Sequence, residues 1–199
     1  MNTTPCKTPQ SGFTLIELLV ATSLAMLVLG TIILVQKMAH DGFDGSLNES
    51  RMTRDLREGM NELKVELRAA LDDSIVTAAW NGADGDALLT FQNAVDFNLA
   101  QGATQWGAEG IVDGTIEYTV IGGSLVRRVR NDTGQLQNAF EETLVRDLDM
   151  TGAAPPVSFE WDPAMRVVRL TVRTRKSLGG RDVARLVEAV IHVESVYNF

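Results

Sequence analysis

Hydrophobic and polar positions fall into three regimes along the chain. From Phe13 to Val35 the residues are apolar almost without break, interrupted only by Thr14, Glu17, Thr22, Ser23, Gly30 and Thr31. As one helix this run is about 34 Å long at 1.5 Å per residue, enough to cross a hydrocarbon core of roughly 30 Å. His40-Asp41-Gly42-Phe43-Asp44-Gly45-Ser46 follows. Its two glycines, two aspartates and serine predict a melted or kinked turn, with the bend at 42–46. A helical period resumes at Asn48, with Met52, Leu56, Met60, Leu63, Leu67 and Leu71 at spacings of three and four. Those six residues form one apolar stripe, and Arg51, Arg54, Asp55, Glu58, Glu62, Lys64, Glu66 and Arg68 fill the other faces.

After Asp72-Asp73 the period drops to two. Ser74–Trp80 and Ala87–Gln92 are expected as short strands, and Asn93–Asp113, with three glycines, as an irregular polar excursion. Thr115–Ile121 and Ser124–Arg130 flank Gly122-Gly123, a strong hairpin signal. Further strands are expected at Thr143–Leu148, at Val157–Trp161, and at Met165–Arg175 after a turn at Asp162-Pro163. In the last strand Val187, Ala189, Ile191 and Val193 share one face. These runs predict an α+β fold, a long N-terminal helix packed on a mostly antiparallel sheet with one face buried. The boundaries expected are a leader at 1–12, a transmembrane helix at 13–35, its continuation with the hinge at 36–73, and a β-rich head at 74–199.

Glu17 is the anomaly in the apolar run, since a charge near mid-bilayer costs about 2.5–3.5 kcal/mol on insertion scales. The stretch around it, Gly12-Phe13-Thr14-Leu15-Ile16-Glu17-Leu18-Leu19-Val20-Ala21, resembles the cleavage and assembly signature of type IV pilins and type II secretion pseudopilins. The resemblance implies that a prepilin peptidase cuts after Gly12 and N-methylates Phe13. It implies that Glu17 pairs with the N-terminal amine of a neighbouring subunit during fibre assembly. Further implied partners are other pilins or pseudopilins through the N-terminal helix, membrane lipid, an inner-membrane assembly platform and a cytoplasmic ATPase. The layout of a second helical stretch leading into strands is similar to a J-class minor pseudopilin or minor pilin W. Members of that class are implied to join a tip complex that starts the fibre.

Charge and cysteine usage narrow the picture. The chain has 199 residues and a formal net charge of −8, which argues against a nucleic-acid groove and its clustered basic face. The basic concentration Arg166–Lys176 alternates with apolar residues, as the wet face of a strand does. Cys6 is the only cysteine and lies in the leader, so cleavage after Gly12 would leave neither a disulfide nor a cysteine-based metal site. An ordinary secretory signal fits poorly, because the apolar run exceeds an h-region of about 7–15 residues. An uncleaved signal anchor is the stronger alternative. Lys7 favours a cytoplasmic N-terminus and a periplasmic head, a single-pass protein of the bacterial inner membrane, although Lys37 opposes it.

The search for chemistry is empty. No nucleophile elbow, phosphate loop, His-Glu-x-x-His or dinucleotide fingerprint is present, and no enzymatic activity or cofactor is expected. Two histidines, His40 and His192, read as surface residues. The loop from Asn81 to Asp86 offers Asn81, Asp84 and Asp86 as weak oxygen ligands for Ca²⁺, but lacks the EF-hand spacing and its bidentate Glu. A plain turn explains it better. The competing function class is a signal-anchored periplasmic binding or enzymatic domain unrelated to fibre assembly. It requires a clustered set of titratable residues, and none stands out.

Overall fold

The apolar stripe that begins at Met52 decides the fold, because each of its residues through Leu67 is buried against strands. The structure is a computed structural model and describes residues 14–101, 103–178 and 181–194. The chain divides into two units, one ending at Gly45 and the other beginning at Ser46. One helix, α1 (Leu15–Arg68), contributes to both.

A melted turn at 42–46, one form of the interruption expected there, is corrected by the structure, since every residue from 40 to 46 is helical. Two glycines cost about 2 kcal/mol relative to alanine. Helix propagation is cooperative, however, and no side chain among Asp41, Asp44 and Ser46 folds back to cap the backbone. His40 and Asp44 instead meet one helical turn apart, at 3.6 Å.

In the second unit, eleven strands build three antiparallel sheets among the described residues. The largest has five strands in the order β1 (Val76–Thr77), β2 (Ala87–Phe91), β6 (Thr115–Ile121), β7 (Ser124–Arg130) and β8 (Glu142–Val145). The second has the order β11 (Arg181–His192), β10 (Val167–Leu178), β9 (Val157–Asp162). The third consists of β3 (Asn93–Asn98), β4 (Ala103–Ala108) and β5 (Ile111–Val112).

The predicted hairpin is present as β6–β7, closing at Ile121↔Ser124. Gly122 and Gly123 carry φ of 53° and 72°, the two positive values that a tight two-residue turn demands. One core joins Leu56, Met60, Leu63 and Leu67 of α1 to Phe91 and Tyr118 of the large sheet and to Val168, Leu170, Ile191 and Val193 of the second. Phe91 and Tyr118 stack with ring centroids 5.9 Å apart.

Two further expectations are corrected. Ser74–Trp80 pairs only at Val76–Thr77, because Ser74 closes a 3-10 turn and its hydroxyl accepts the Gln92 N–H at 2.9 Å. The polar stretch 93–113 is not irregular but forms the third sheet. A register shift between Ala94 and Asp96 hides its alternation, and the Asn98 side chain builds its turn by accepting the Ala100 N–H at 3.0 Å.

Candidate functional site

The candidate site begins where α1 begins. Gly12 and Phe13, the expected processing residues, lie outside the described residues. Thr14 stands immediately before α1 and Glu17 is the third helical residue. The Glu17 carboxylate accepts from both the Thr14 N–H and the Thr14 hydroxyl at 3.0 Å, and the Thr14 hydroxyl accepts the Glu17 N–H at 3.2 Å. This is a reciprocal capping box, which satisfies backbone donors that a helix start otherwise leaves bare. An acid in the first turn also suits the positive end of the helix dipole. Glu17 therefore has a local reason to be where it is.

The other polar residues of the run are likewise met within the helix. Thr22 and Ser23 donate to the Leu19 carbonyl at 3.0 and 2.7 Å, and Thr31 donates to the Val28 carbonyl at 2.7 Å. Side-chain donors closed on their own helix cost little in an apolar medium, where unpaired polar groups are expensive. The segment's best window has a mean hydropathy of 2.6 with none of it buried. Leu15 and Met26 are 79% and 75% exposed. By length and composition this helix is able to cross a membrane, and its bare apolar surface is consistent with membrane anchoring.

The weak calcium candidate is a closed turn. Asn81 Nδ2 donates to Asp86 at 2.6 Å, Asn81 Oδ1 accepts the Ala83 N–H at 2.8 Å, and Asp84 accepts the Gly122 N–H at 2.9 Å. No group of three or more His, Cys, Asp or Glu residues suited to a metal ion occurs among the described residues. His40 and His192 are exposed, and Trp80 and Trp161 pack against the core.

One polar cluster escaped the sequence. Arg127 on β7, its side chain only 5% exposed, bonds Glu66 of α1 through Nε at 2.8 Å and also meets Glu109. The Tyr118 hydroxyl donates to the other oxygen of Glu66. Burial, then the Glu66 carboxylate beside it, pushes the Tyr118 phenol well above its ordinary value and keeps it a donor. The cluster ties helix to sheet, with Glu109 as its solvent-facing member. Nothing in the sequence marks a pair 61 residues apart.

A model of the prokaryotic N-terminal methylation motif matches residues 7–33. The match takes in the Gly12–Phe13 junction and most of the apolar run, and it supports a pilin- or pseudopilin-type chain. No curated protein and no solved structure matches the chain. The α+β arrangement, a long N-terminal helix whose second half packs against antiparallel sheets, is the pilin-like layout.

Proposed function

We propose that the chain is a structural subunit of a type IV pilus or type II secretion pseudopilus, in particular a minor pilin or minor pseudopilin of the tip and initiation complex. The observation that carries this reading is the coincidence of the methylation motif at 7–33 with the start of α1. Immediately past the Gly12–Phe13 junction begins a helix that is bare and apolar at first and carries a buried apolar stripe from Met52 to Leu67. A bare apolar helix needs lipid before assembly and neighbouring helices after it. Processing at Gly12 and Phe13 by a prepilin peptidase, followed by assembly on an inner-membrane platform, supplies both environments in turn. On this reading the head lies on the periplasmic side, and the protein needs no cofactor and no catalytic group of its own.

Co-expression with a prepilin peptidase tests this directly. The mass of the mature N-terminus is expected to show cleavage after Gly12 and one added methyl group on Phe13. An intact Met1 would overturn the proposal. Stoichiometry in sheared fibres then separates a minor from a major subunit, with far fewer copies than the main subunit expected.

A further inference from the structure

Strand β11 is an unprotected edge. It pairs with β10 through twelve consecutive register pairs, from Val167↔His192 to Leu178↔Arg181, with no shift, and among the described residues no strand pairs with its other side. The Val193 N–H reaches the Arg166 carbonyl, so the odd-numbered residues of β11 turn their backbone groups to β10. The even-numbered residues turn theirs outward, and the first beyond the strand, Glu194, donates to the Arg68 carbonyl at the end of α1. Ala184, Leu186, Glu188 and Val190 therefore offer a row of outward N–H and C=O groups. Natural edges are usually blunted by a bulge, a proline or a short length. This one has none of them.

The two faces beside that edge are both partly apolar but differ in charge. On one side a groove of about 470 Å³ runs between β11 and α1. Leu56, Met60 and Val187 give it an apolar floor, and Arg57, Lys64 and Arg185 rim it against a single acid, Glu188. Arg185 also meets Glu49, while Arg57 and Lys64 make no ion pair among the described residues. On the other side Leu186 and Val190 are 54% and 60% exposed, with Glu188 between them. Their partners in register on β10 are Arg173 and Arg169, and Glu160 of β9 stands beside Arg169, so this face is apolar and mixed in charge. In a chain of net charge −8, the cationic rim of the groove is a local reversal of sign.

We propose that β11 takes up an extended acidic strand of a different protein as the fourth strand of the β9–β10–β11 sheet. Main-chain bonds to the outward groups supply affinity, and every second side chain of the guest strand meets the apolar, cation-rimmed groove. A second copy of this chain is the poorer occupant. Its own β11 would bring Val183, Arg185, Val187 and Ala189 to the groove side, a cation where an acid is wanted. This inference goes beyond the subunit reading and does not rest on N-terminal processing.

The probe is a fluorescein-labelled (Glu-Val)4 peptide added to the full chain in detergent micelles, with fluorescence anisotropy as readout and (Lys-Val)4 as control. The acidic peptide is expected to bind at least tenfold more tightly than the basic one. Val190→Pro removes an outward N–H that β10 does not use and is expected to weaken binding at least tenfold. The double variant Arg57→Glu/Lys64→Glu, on exposed or half-exposed helix positions, should weaken it comparably. It decides the matter if circular dichroism shows the proline variant unfolded. Equal binding of both peptides, or unchanged affinity in the charge-reversed variant, would overturn the proposal. So would a concentration-dependent dimer that Val190→Pro abolishes, which would assign the edge to a second copy. Processing at Gly12 stands or falls separately, on the N-terminal mass.

Discussion

Gly59 sits inside α1, where propensity alone would favour alanine by about 1 kcal/mol. A Cβ there would lie 2.6 Å from the Leu144 carbonyl oxygen of β8, a backbone atom with little room to yield. Gly59→Ala is therefore expected to lower stability by about 1–3 kcal/mol, as overpacking does, and thermal melts would show a fall of several degrees. One turn further along, Glu62 has its carboxyl raised above the ordinary value, first by burial and then by the charge and hydrogen bond of Glu142. A carboxyl raised in the folded state binds its proton more tightly folded than unfolded. Its contribution is thus most favourable below the unfolded pKa and is lost as pH rises through the folded one. Glu62→Gln is expected to raise the melting temperature at pH 7, an advantage that vanishes toward about pH 4. In the sequence, a glycine inside an apolar stripe signals close packing without naming its partner, and Glu62 is one of several charges on the helix. The partners Leu144 and Glu142 arrive from a strand eighty or more positions away.

At the scale of elements the sequence was readable wherever a period ran undisturbed. The stripe from Met52 to Leu67, the Gly-Gly hairpin and the alternation of β10 and β11 all follow from spacing alone. Interruptions were misleading in both directions. The glycines near position 42 looked like a break, yet nothing competes there with helix propagation, whereas the shifted register of β3 concealed a strand. The start of α1 was legible in part. Thr14-x-x-Glu17 is a capping-box pattern in plain view, overshadowed by the cost of a charge in lipid. That box leaves two roles for Glu17, closing its own helix or pairing with a neighbour's amine, and substitution separates them. Glu17→Gln retains an acceptor suited to the box but no charge, while Glu17→Ala loses both. If pairing with an amine is the function, both variants are expected to insert and be cleaved yet enter fibres poorly. Normal incorporation of Glu17→Gln with failure of Glu17→Ala would leave capping as its whole task.

Across the whole second unit, the Arg127 cluster is the main polar tie between layers. Glu66 comes from α1, Tyr118 and Arg127 from the large sheet, and Glu109 from the connection after β4. Removing the cation leaves two carboxylates facing each other in a largely dry setting. Arg127→Leu is expected to cost about 3–5 kcal/mol, as breakage of buried pairs does, measurable as a lower urea midpoint. Pairing it with Glu66→Leu should recover part of the loss, since neither partner is then stranded. The hydrophobic core of this unit was anticipated from patterning; its polar fastening was not, because charge pairing across long separations leaves no local trace.

The bond from Glu194 to the carbonyl of Arg68, with Ile191 and Val193 in the same core as Leu56–Leu67, constrains the order of events in biogenesis. The helix leaves the ribosome first and its core-facing stripe is completed last, by the strand at the opposite end of the chain. Contacts of such separation form slowly, so the part of this core that Ile191 and Val193 complete stays open until β11 has been made. A chain without β11 would leave the second sheet's side of that core open, so exposed helix surface would report whether this strand had been made and docked.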